Sequence, residues 1–344
     1  MTTDALIGSG LLPDRVVRFG IRRLLRQRLN SLRRGGIAER VRREADFTES
    51  LRSSPIALHQ DAANAQHYEL PARFFELVLG RRLKYSSGLW EEGVATLDEA
   101  EERMLALTCE RARLEDGQDV LELGCGWGSL TLFMAERFPA SRILAVSNSR
   151  PQREFILGRA RRLGFTNVEV QTADIASWTP GRAFDRVVSV EMFEHLRNWP
   201  EMFRRVASWL RADGRFFMHV FAHREHAYAF TDESDSDFMA RHFFSGGMMP
   251  SDALALEVSG PLEIEEHRRV EGTHYARTSA AWLENMDANR AEIEVLFAST
   301  YGPRAGRFWH YWRAFFMSCE ELWAFDGGLE WIVSHYRFRR AQSV

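Results

Sequence analysis

Residues 120–133 read VLELGCGWGSLTLF and pass from an apolar, strand-like run through a glycine turn into a helix-like segment. In open α/β sheets, the turn after the first strand lies at the carboxyl ends of the strands, where nucleotide-like ligands bind. The glycines are Gly124, Gly126 and Gly128, and Ser129 stands where a GxGxxG motif would need its third glycine. The segment therefore predicts an α/β sheet with a ligand at its first turn, but not the dinucleotide fingerprint.

Glu122, which precedes this turn, narrows the class of ligand. A carboxylate aimed into the loop would repel a pyrophosphate, whereas it suits the cationic amino-acid end of S-adenosylmethionine. Glycine lets the backbone approach such a ligand closely. We therefore expect Glu122, Gly124 and Gly126 to bind S-adenosylmethionine, and a purely structural glycine turn is the alternative. Asp174 follows the third predicted strand, the usual position of an acid near the adenine amino group.

The chain around this segment alternates between short apolar runs and helix-like stretches, a pattern typical of parallel strands covered by helices. Strands are predicted at 119–123, 142–147, 168–171, 185–190 and 215–221, with helices at about 128–138, 150–163 and 200–211. Two later β-like segments, 262–270 and 331–340, are expected to add strands to one edge. The prediction is a Rossmann-like, doubly wound α/β core at 101–344, with helical insertions at about 223–260 and 276–326, behind a helical N-terminal extension at 1–100.

Composition sets bounds on the class of protein. The 344 residues are 45% hydrophobic, enough for a substantial core, and the net charge of −3 gives no overall attraction to nucleic acid. Cys109, Cys125 and Cys319 are far apart and odd in number, so they predict a reducing, cytoplasmic setting. No stretch approaches the roughly 20 apolar residues of a membrane span, and no signal-peptide pattern begins the sequence.

The even charge distribution has one exception, the segment from Arg15 to Arg43, which holds eleven arginines and one acid, Glu39. Apolar residues recur there at helical spacing, which predicts one or two basic amphipathic helices. One interpretation is a helix that lies on a membrane surface. The other, which we favour, is a leader packed on the main domain with its arginines in solvent.

A second polar group stands where an apolar run ends. Residues 187–199 read VVSVEMFEHLRNW and place Glu191, Glu194 and His195 within five positions. Charged groups at the end of a buried strand are costly to desolvate, so they indicate a functional site. A zinc site is disfavoured because nitrogen and sulfur ligands are too few. A helix start, with the polar side chains satisfying free N–H groups, stays open as a structural alternative.

Taken together, these motifs resemble the cyclopropane-fatty-acid-synthase-like methyltransferases, and within them the coclaurine N-methyltransferase branch. The resemblance rests first on ELGCGWG, SNSRPQ and FEH, each after a predicted strand. It extends over most of the chain from about residue 20, through IRRLLRQRL, QHYELPARFFELVLG, LKYSSGLW, TLDEAEERML, VEMFEHLRNW and HYWRAFFMSCEELWAFDGGLEWIVSHYRF. It implies a class I methyltransferase fold, S-adenosylmethionine as cofactor and a small amine, such as an arylalkylamine, as the methyl acceptor.

The resemblance also implies roles for single residues. Tyr85 and Ser86 would contact the carboxylate end of the cofactor, with Gly124 and Gly126 at the turn. The segment SNSRPQ would supply Ser147, Asn148 and Gln152 near the ribose, and Asp174 and Ile175 would flank the adenine. Glu191 and Glu194 would hold the ammonium of the substrate, and His195 would assist removal of its proton, because a protonated amine has no lone pair for the methyl group.

Lipid methylation or cyclopropanation is the alternative activity within this family. Relatives that modify acyl chains carry a cysteine, which helps to hold a bicarbonate, where this chain has Ser87. Glu194 and His219 match other positions of that bicarbonate site, whereas Glu191 and the C-terminal segment favour an amine. The sequence therefore predicts N-methylation first and lipid chemistry second.

Histidines and aromatic residues complete the predicted site. His219, His223 and His226 would share a helical face, but their segment reads as a strand, so we expect them to diverge and to bind no metal. An apolar substrate pocket is expected from some of seven rings, with more than half of them in the core: Phe193, Trp309, Trp312, Phe315, Phe316, Trp323 and Trp331. By family analogy, His274 and Tyr275 line the substrate side. We expect no nucleic-acid partner and no membrane anchoring, and a homodimer is an open expectation.

Overall fold

The glycine turn joins the first strand of a seven-stranded sheet to the helix that follows it. The computed structural model describes residues 2–58, 70–233 and 237–341. Its strands are β1 (Asp119–Leu123), β2 (Arg142–Ser147), β3 (Val168–Thr172), β4 (Phe184–Val190), β5 (Leu210–His223), β6 (Tyr228–Ala229), β7 (Met248–Met249), β8 (Leu262–Val270) and β9 (Trp331–Arg340). Each predicted strand is confirmed, most of them to within one or two residues.

Helices precede, cover and follow these strands. They are α1 (Thr3–Gly8), α2 (Asp14–Leu32), α3 (Ile37–Ser53), α4 (Ala72–Val78), α5 (Leu97–Arg111), α6 (Ser129–Arg137), α7 (Arg150–Leu163), α8 (Trp199–Trp209), α9 (Phe238–His242), α10 (Leu254–Val258), α11 (Gly272–Ala288), α12 (Arg290–Tyr301) and α13 (Ala305–Trp323). Short 3₁₀ helices occupy Phe193–His195, Gly302–Arg304 and Phe325–Gly328. Residues 66–69 of the motif QHYELPARFFELVLG lie outside the described residues.

The strand order places two polar segments side by side. It runs β3-β2-β1-β4-β5-β9-β8, and the first five strands are parallel, while β9 pairs antiparallel with both β5 and β8. The order of the strands reverses between β1 and β4, so a crevice opens beyond their carboxyl ends. The glycine turn follows β1 and Glu191 follows β4, and both therefore reach this crevice.

The leader forms two helices, and α2 packs on α13. Val17, Ile21 and Leu25 are partly buried against the main hydrophobic core, and Leu29 is fully buried. Arg18 pairs with Glu320 and Glu321 of α13 at 2.7 and 3.1 Å. The packed leader is thus the arrangement in the structure.

A separate question is whether any segment could cross a bilayer. Within the three described ranges, no helix combines the length and the apolarity that a membrane crossing requires.

The segment 223–260 is less helical than its sequence suggested. Its described part holds two helices of five residues, α9 and α10, and the two-stranded ribbon β6–β7. Gly246, with a φ of 76°, and Pro250 interrupt helical geometry there. Residues 231–233 of the acidic stretch TDESDSD have no regular structure, and residues 234–236 lie outside the described part of the chain.

Candidate active site

A cavity of about 720 Å³ opens at the carboxyl ends of β1 and β4. The glycine turn and the segment around Tyr85 line one part of it, and aromatic side chains of the later helices line another. The helices α1 and α2 close the cavity on one side. Ile7 of α1 and Ile21, Leu25 and Arg28 of α2 contribute to its wall. Residues from the whole length of the chain therefore build one site.

The glycine turn leaves room for a ligand at one position. Gly124 has a φ of 76°, and a Cβ atom there would lie 2.5 Å from the Met192 Cγ. Gly126 also has a positive φ, 50°, but a Cβ atom there would meet no protein atom within 4 Å. Gly126 lines the cavity, so its backbone is open to a bound molecule. This cradle, at the N-terminal end of α6, fits the polar end of a nucleotide-like cofactor.

Glu122 lies beneath the turn, on the cavity wall and 3% exposed. Its Oε2 accepts a hydrogen bond of 2.5 Å from the Thr131 hydroxyl. Burial raises the pKa of Glu122 to about 8, against the lowering effect of that hydrogen bond. An ammonium group beside this carboxyl would favour its ionised form, so the position fits the amino-acid end of S-adenosylmethionine.

The ribose-side residues are held by their own hydrogen bonds. The Ser147 hydroxyl donates to Gln152 Oε1 at 2.6 Å and accepts from the Ser149 N–H at 3.0 Å. Because the Gln152 carbonyl is thereby occupied, its amide NH₂ is the group that remains for a ligand. Ser147, Asn148, Gln152 and Ile175 all line the cavity.

Asp174 is the cofactor residue that the structure does not bring to this wall. It is exposed, and its Oδ1 accepts the Ala176 N–H at 2.8 Å, so it shapes the turn that carries Ile175. Its neighbours Ala173 and Ile175 line the cavity in its place.

Lys84, the single lysine of the chain, is a feature that the sequence analysis missed. Its Nζ donates to Ser86 Oγ at 2.5 Å and to the Ser87 carbonyl at 2.8 Å. Burial lowers its pKa to about 8, although Glu191 and Glu101 oppose that shift. Lys84 thus fixes the backbone of the segment that carries Tyr85 and Ser86, both of which line the cavity. Its position beside the YSS motif was the available signal.

Glu191 is the carboxylate on the cavity wall. Its φ of 48° is rare for a residue other than glycine, and such strain is concentrated at functional sites. Its Oε1 accepts the Ser87 N–H at 3.1 Å, and its Oε2 accepts the Tyr275 hydroxyl at 2.6 Å. Burial raises the pKa of Glu191, and the charge of Lys84 and these hydrogen bonds lower it in part.

Glu194 lies behind that wall and does not line the cavity. Its Oε1 accepts the Phe221 N–H at 2.6 Å, and its Oε2 has no hydrogen-bond partner in the structure. Burial, and secondarily the charge of Glu191, hold the pKa of Glu194 well above its usual value. Asn198 caps α8 by accepting the Glu201 N–H at 2.9 Å, so Glu194 does not begin that helix. Glu194 lies in the first turn of the 3₁₀ helix Phe193–His195, and the helix-start alternative stays open for this short helix alone.

His195, like Glu191, lines the cavity. Its ring stacks on Phe244, with centroids 4.7 Å apart and planes 15° from parallel. Glu191 and His195 therefore both face the cavity, whereas Glu194 does not line it.

The three nearby histidines separate into two groups. His219 is buried and approaches Glu191, with its Nε2 3.1 Å from Glu191 Oε1. His223 and His226 do not diverge as expected, since their rings stack at 5.2 Å. His223 Nδ1 accepts the His226 N–H at 2.9 Å because the chain turns back after β5. Among the residues that the structure describes, no group of three or more histidine, cysteine and acidic side chains is arranged to hold a metal ion.

Three of the seven predicted aromatic rings line the cavity and four lie in the core, in agreement with the expectation that more than half are core residues. The three that line it are Phe315, Trp323 and Trp331. Tyr275 lines the cavity, but His274 does not, and its Nδ1 accepts the Trp90 N–H at 2.9 Å. The sequence analysis missed further rings of the wall: Trp127, Phe221, Tyr228, Phe230, Phe244 and Trp282.

Comparison with known proteins shows which family this chain resembles in sequence. The family model for mycolic acid cyclopropane synthetase matches residues 57–327. The (S)-coclaurine N-methyltransferase of Thalictrum flavum subsp. glaucum is 35% identical over 336 residues, which are 96% of this chain and 93% of the relative. The cyclopropane-fatty-acyl-phospholipid synthase of Escherichia coli K12 is 29% identical over 72% of this chain and 61% of its own.

A solved structure extends the likeness to the whole fold. Coclaurine N-methyltransferase bound to N-methylheliamine and SAH superposes with a TM-score of 0.95 and 35% identity, covering 98% of both chains. The open cradle at Gly126 and the buried Glu122 fit the cofactor that such enzymes use. The chain therefore belongs to the mycolic acid cyclopropane synthetase family and is an S-adenosylmethionine-dependent methyltransferase.

Proposed function

We propose that this methyltransferase acts on the nitrogen of a small arylalkylamine. The observation that carries the proposal is the Glu191 carboxylate, which stands on the cavity wall among aromatic rings. A carboxylate at that place suits an ammonium and would repel the anionic head of a phospholipid. The greater similarity to coclaurine N-methyltransferase than to the phospholipid synthase supports the same choice.

The bound cofactor would supply an electrophilic methyl group, and the cavity residues would prepare the acceptor. Glu191 anchors the ammonium: burial raises its pKa, but Lys84 and the hydrogen bonds from Tyr275 and Ser87 oppose that shift, and a bound cation would favour the charged form further. His195, which also lines the cavity, takes the proton so that the nitrogen gains its lone pair. Glu194, behind them, is the proposed final acceptor: the charge of a bound ammonium would favour its ionised form before the transfer, and burial favours the protonated form that results. Two carboxyl groups with such different surroundings suit two different tasks.

The cofactor would be held by the cradle described above. Tyr85 and Ser86 would hold its carboxylate and Glu122 its amino group, with Gly124 and Gly126 at the turn. Ser147, Asn148 and Gln152 would hold the ribose, and Ile175 would flank the adenine. Asp174, which is exposed, would have to act at the rim, through the turn that it stabilises.

The aromatic wall is the proposed binding surface for the rest of the amine. Tyr275 and Trp323 stack at 4.7 Å with planes 4° from parallel, beside the carboxylate that Tyr275 contacts. Ring faces stabilise a nearby cation, and their edges pack on an aryl group. An amine with an aryl group a short chain away from its nitrogen would fill both parts of the cavity.

We propose that different parts of the chain cover the ligands and carry the catalytic residues. The N-terminal extension at 1–100 would cover the cofactor, and the catalytic core at 101–344 would cover the substrate with its insertions at about 223–260 and 276–326. We place the protein in the cytoplasm and expect a homodimer. Light scattering of the purified protein measures the latter, and a monomeric mass would contradict it.

A parallel acceptor screen tests the function. Methyl-labelled cofactor is offered with a panel of arylalkylamines and, separately, with vesicles of unsaturated phospholipid. We expect label in the amine products. Label found only in the lipid fraction would reject the amine and support acyl-chain chemistry instead. Failure to bind S-adenosylmethionine in calorimetry would contradict the proposed cofactor contacts.

A further inference from the structure

A chain of hydrogen bonds runs from the end of α5 through two buried histidines to Glu191. Arg111 Nη1 lies 2.8 Å from His335 Nδ1, and His335 Nε2 lies 2.9 Å from His219 Nδ1. His219 Nε2 in turn lies 3.1 Å from Glu191 Oε1. His219 and His335 are direct neighbours on β5 and β9 and are 0% and 1% exposed, so the sheet itself holds their rings together.

The cation at the far end fixes the direction of every bond in this chain. Arginine has donors and no acceptor, so His335 Nδ1 must accept and carries no proton. In a neutral imidazole the proton is then on Nε2, and His335 donates to His219 Nδ1. The same argument places the proton of His219 on Nε2, which donates to Glu191.

Both imidazoles are neutral in these surroundings. Burial lowers the pKa of His219 and of His335 far below the usual value, and Lys84 and Arg111 lower both further. A charged His335 would carry a proton on Nδ1, the nitrogen that has to accept the hydrogen bond from Arg111. The chain therefore has a single orientation, with each N–H pointing toward Glu191.

We propose that Arg111 and His335 are positioning residues for the methyl-transfer site, which hold His219 in the tautomer that donates to Glu191. Oε1 then receives two donors, the Ser87 N–H and His219, and Oε2 receives Tyr275. Glu191 stays an oriented anion. The histidines cannot carry a proton outward, because that would require an N–H at His335 Nδ1 facing Arg111. The proton of the amine must leave on the His195 side.

Other charged groups face the same carboxylate and must be held constant in a test. The charge of Lys84 favours the ionised form of Glu191. The charge of Glu191 in turn contributes to the raised pKa of two neighbouring acids, Glu194 and Cys319. Tyr275 contacts it directly. Because these groups are unaltered in variants of Arg111, a change in such variants reports on the histidine chain.

The first test measures tautomers in the unliganded wild-type protein. Long-range ¹H–¹⁵N spectra, assigned with His335→Gln and His219→Gln, show which nitrogen of each ring carries the proton. We expect Nε2–H on both rings. Nδ1–H on His219 would overturn the proposal. This role rests on the proposed function, but the spectra need no acceptor, so failure of the methyl-transfer proposal is distinguished from failure of this one.

The second test compares variants by kinetics. Arg111→Met removes the fixed donor, and we expect kcat to fall about tenfold while KM changes little. The acid limb of kcat/KM should move up by about one pH unit, since loss of a donor to a charged group raises the pKa of Glu191. Arg111→Lys, which keeps a cationic donor, should restore most of kcat and the pH limb.

The matched control is Arg339→Met, on the same strand as His335, which loses a surface pair with Glu263 and should behave as wild type. Equal pH profiles for Arg111→Met and Arg339→Met would overturn the proposal. A shift in Arg111→Met without rescue by Arg111→Lys would also contradict it, provided that the lysine variant unfolds at the wild-type temperature. If it does not, the tautomer spectra decide.

Discussion

At the scale of single residues, Glu191 and Glu194 are three positions apart and have opposite surroundings. Glu191 accepts hydrogen bonds from Ser87, His219 and Tyr275, whereas Glu194 accepts one, from the Phe221 N–H. The carboxylate with several donors is suited to carry charge, and the one with an unpaired oxygen is suited to hold a proton. The spacing in the sequence showed that both are present but could not separate these tasks.

The first prediction concerns the two residues proposed to handle the proton. We expect Glu194→Gln and His195→Ala each to lower kcat by about 10²-fold or more, as is typical for loss of acid–base assistance. Cofactor affinity, measured by calorimetry, should stay near the wild-type value because neither residue belongs to the proposed cradle. Wild-type turnover in both variants would mean that the group is structural.

The second prediction uses the pKa of Glu122, which burial raises to about 8. A carboxyl with a raised pKa in the folded protein binds its proton more tightly there than in the unfolded chain, so stability is lost as the pH rises from about 4.5 to 8. Glu122→Gln removes this loss and keeps an acceptor for Thr131. We expect the unliganded variant to be more stable than wild type at pH 8, by on the order of a few kcal/mol, and equal to it near pH 4.5.

Urea unfolding at the two pH values measures this difference. The exposed Glu110→Gln serves as the control and should follow the wild-type profile. A gap between Glu122→Gln and wild type that is the same at both pH values would contradict the assignment of the penalty to an ionising carboxylate. The variant should also bind S-adenosylmethionine more weakly, by about tenfold, since a charged partner is lost.

At the scale of secondary-structure elements, the third prediction concerns the glycine turn after β1. Alanine at position 126 would meet no protein atom within 4 Å, so its steric conflict is with the ligand. We expect Gly126→Ala to cost about 1 kcal/mol of folding free energy for its positive φ, and to weaken cofactor binding by at least tenfold. Gly117→Ala is the matched control, because Gly117 also has a positive φ, 85°, and open space around it. If both variants bind the cofactor equally well, the turn is not the cradle.

The same scale shows what could be predicted from sequence. The strands β1 to β5 were predicted because each contains a short apolar run, and β8 and β9 because their segments are β-like. The helical interpretation of 223–260 did not take into account Gly246 and Pro250, which interrupt helical geometry there.

The predicted cofactor residues stay predictions, but their positions show what a sequence can indicate. Glu122 and Ser147 lie at strand ends and Gln152 just beyond one, and strand ends of a parallel sheet meet at one edge, so all three line the cavity. Asp174 does not line it, because the direction of its side chain depends on the local turn. The role of Lys84 was missed although it adjoins the YSS motif, because its burial cannot be read from the sequence. His335 was missed because its contact with Arg111 joins residues 224 positions apart and leaves no local pattern.

At the scale of the whole molecule, the fourth prediction concerns how the leader closes the cavity. Arg18 bonds Glu320 and Glu321 and thereby fixes α2, whose Ile21, Leu25 and Arg28 line the wall. We expect Arg18→Met to loosen this docking and to raise KM for the acceptor by about three- to tenfold with a smaller change in kcat. A partly buried pair of this kind is worth on the order of 1 kcal/mol, which corresponds to that range.

Steady-state kinetics and limited proteolysis of the leader measure the effect. The control is Arg52→Met on α3, whose pair with Glu49 is exposed and of the common i, i+3 type. Wild-type KM in Arg18→Met, together with unchanged cleavage, would show that closure does not depend on this contact.

The burial of Lys84 has a consequence for the chemistry that can be done on this protein. It carries the single ε-amino group of the chain and is 2% exposed. Reagents that cross-link surface lysines therefore have no target among the side chains, and cross-linking of this protein has to use carboxyl or arginine chemistry. Conversely, acylation of Lys84 requires entry through the cavity or local opening of the segment around it. The rate of acylation of Lys84 therefore measures how often a reagent gains access to the active site.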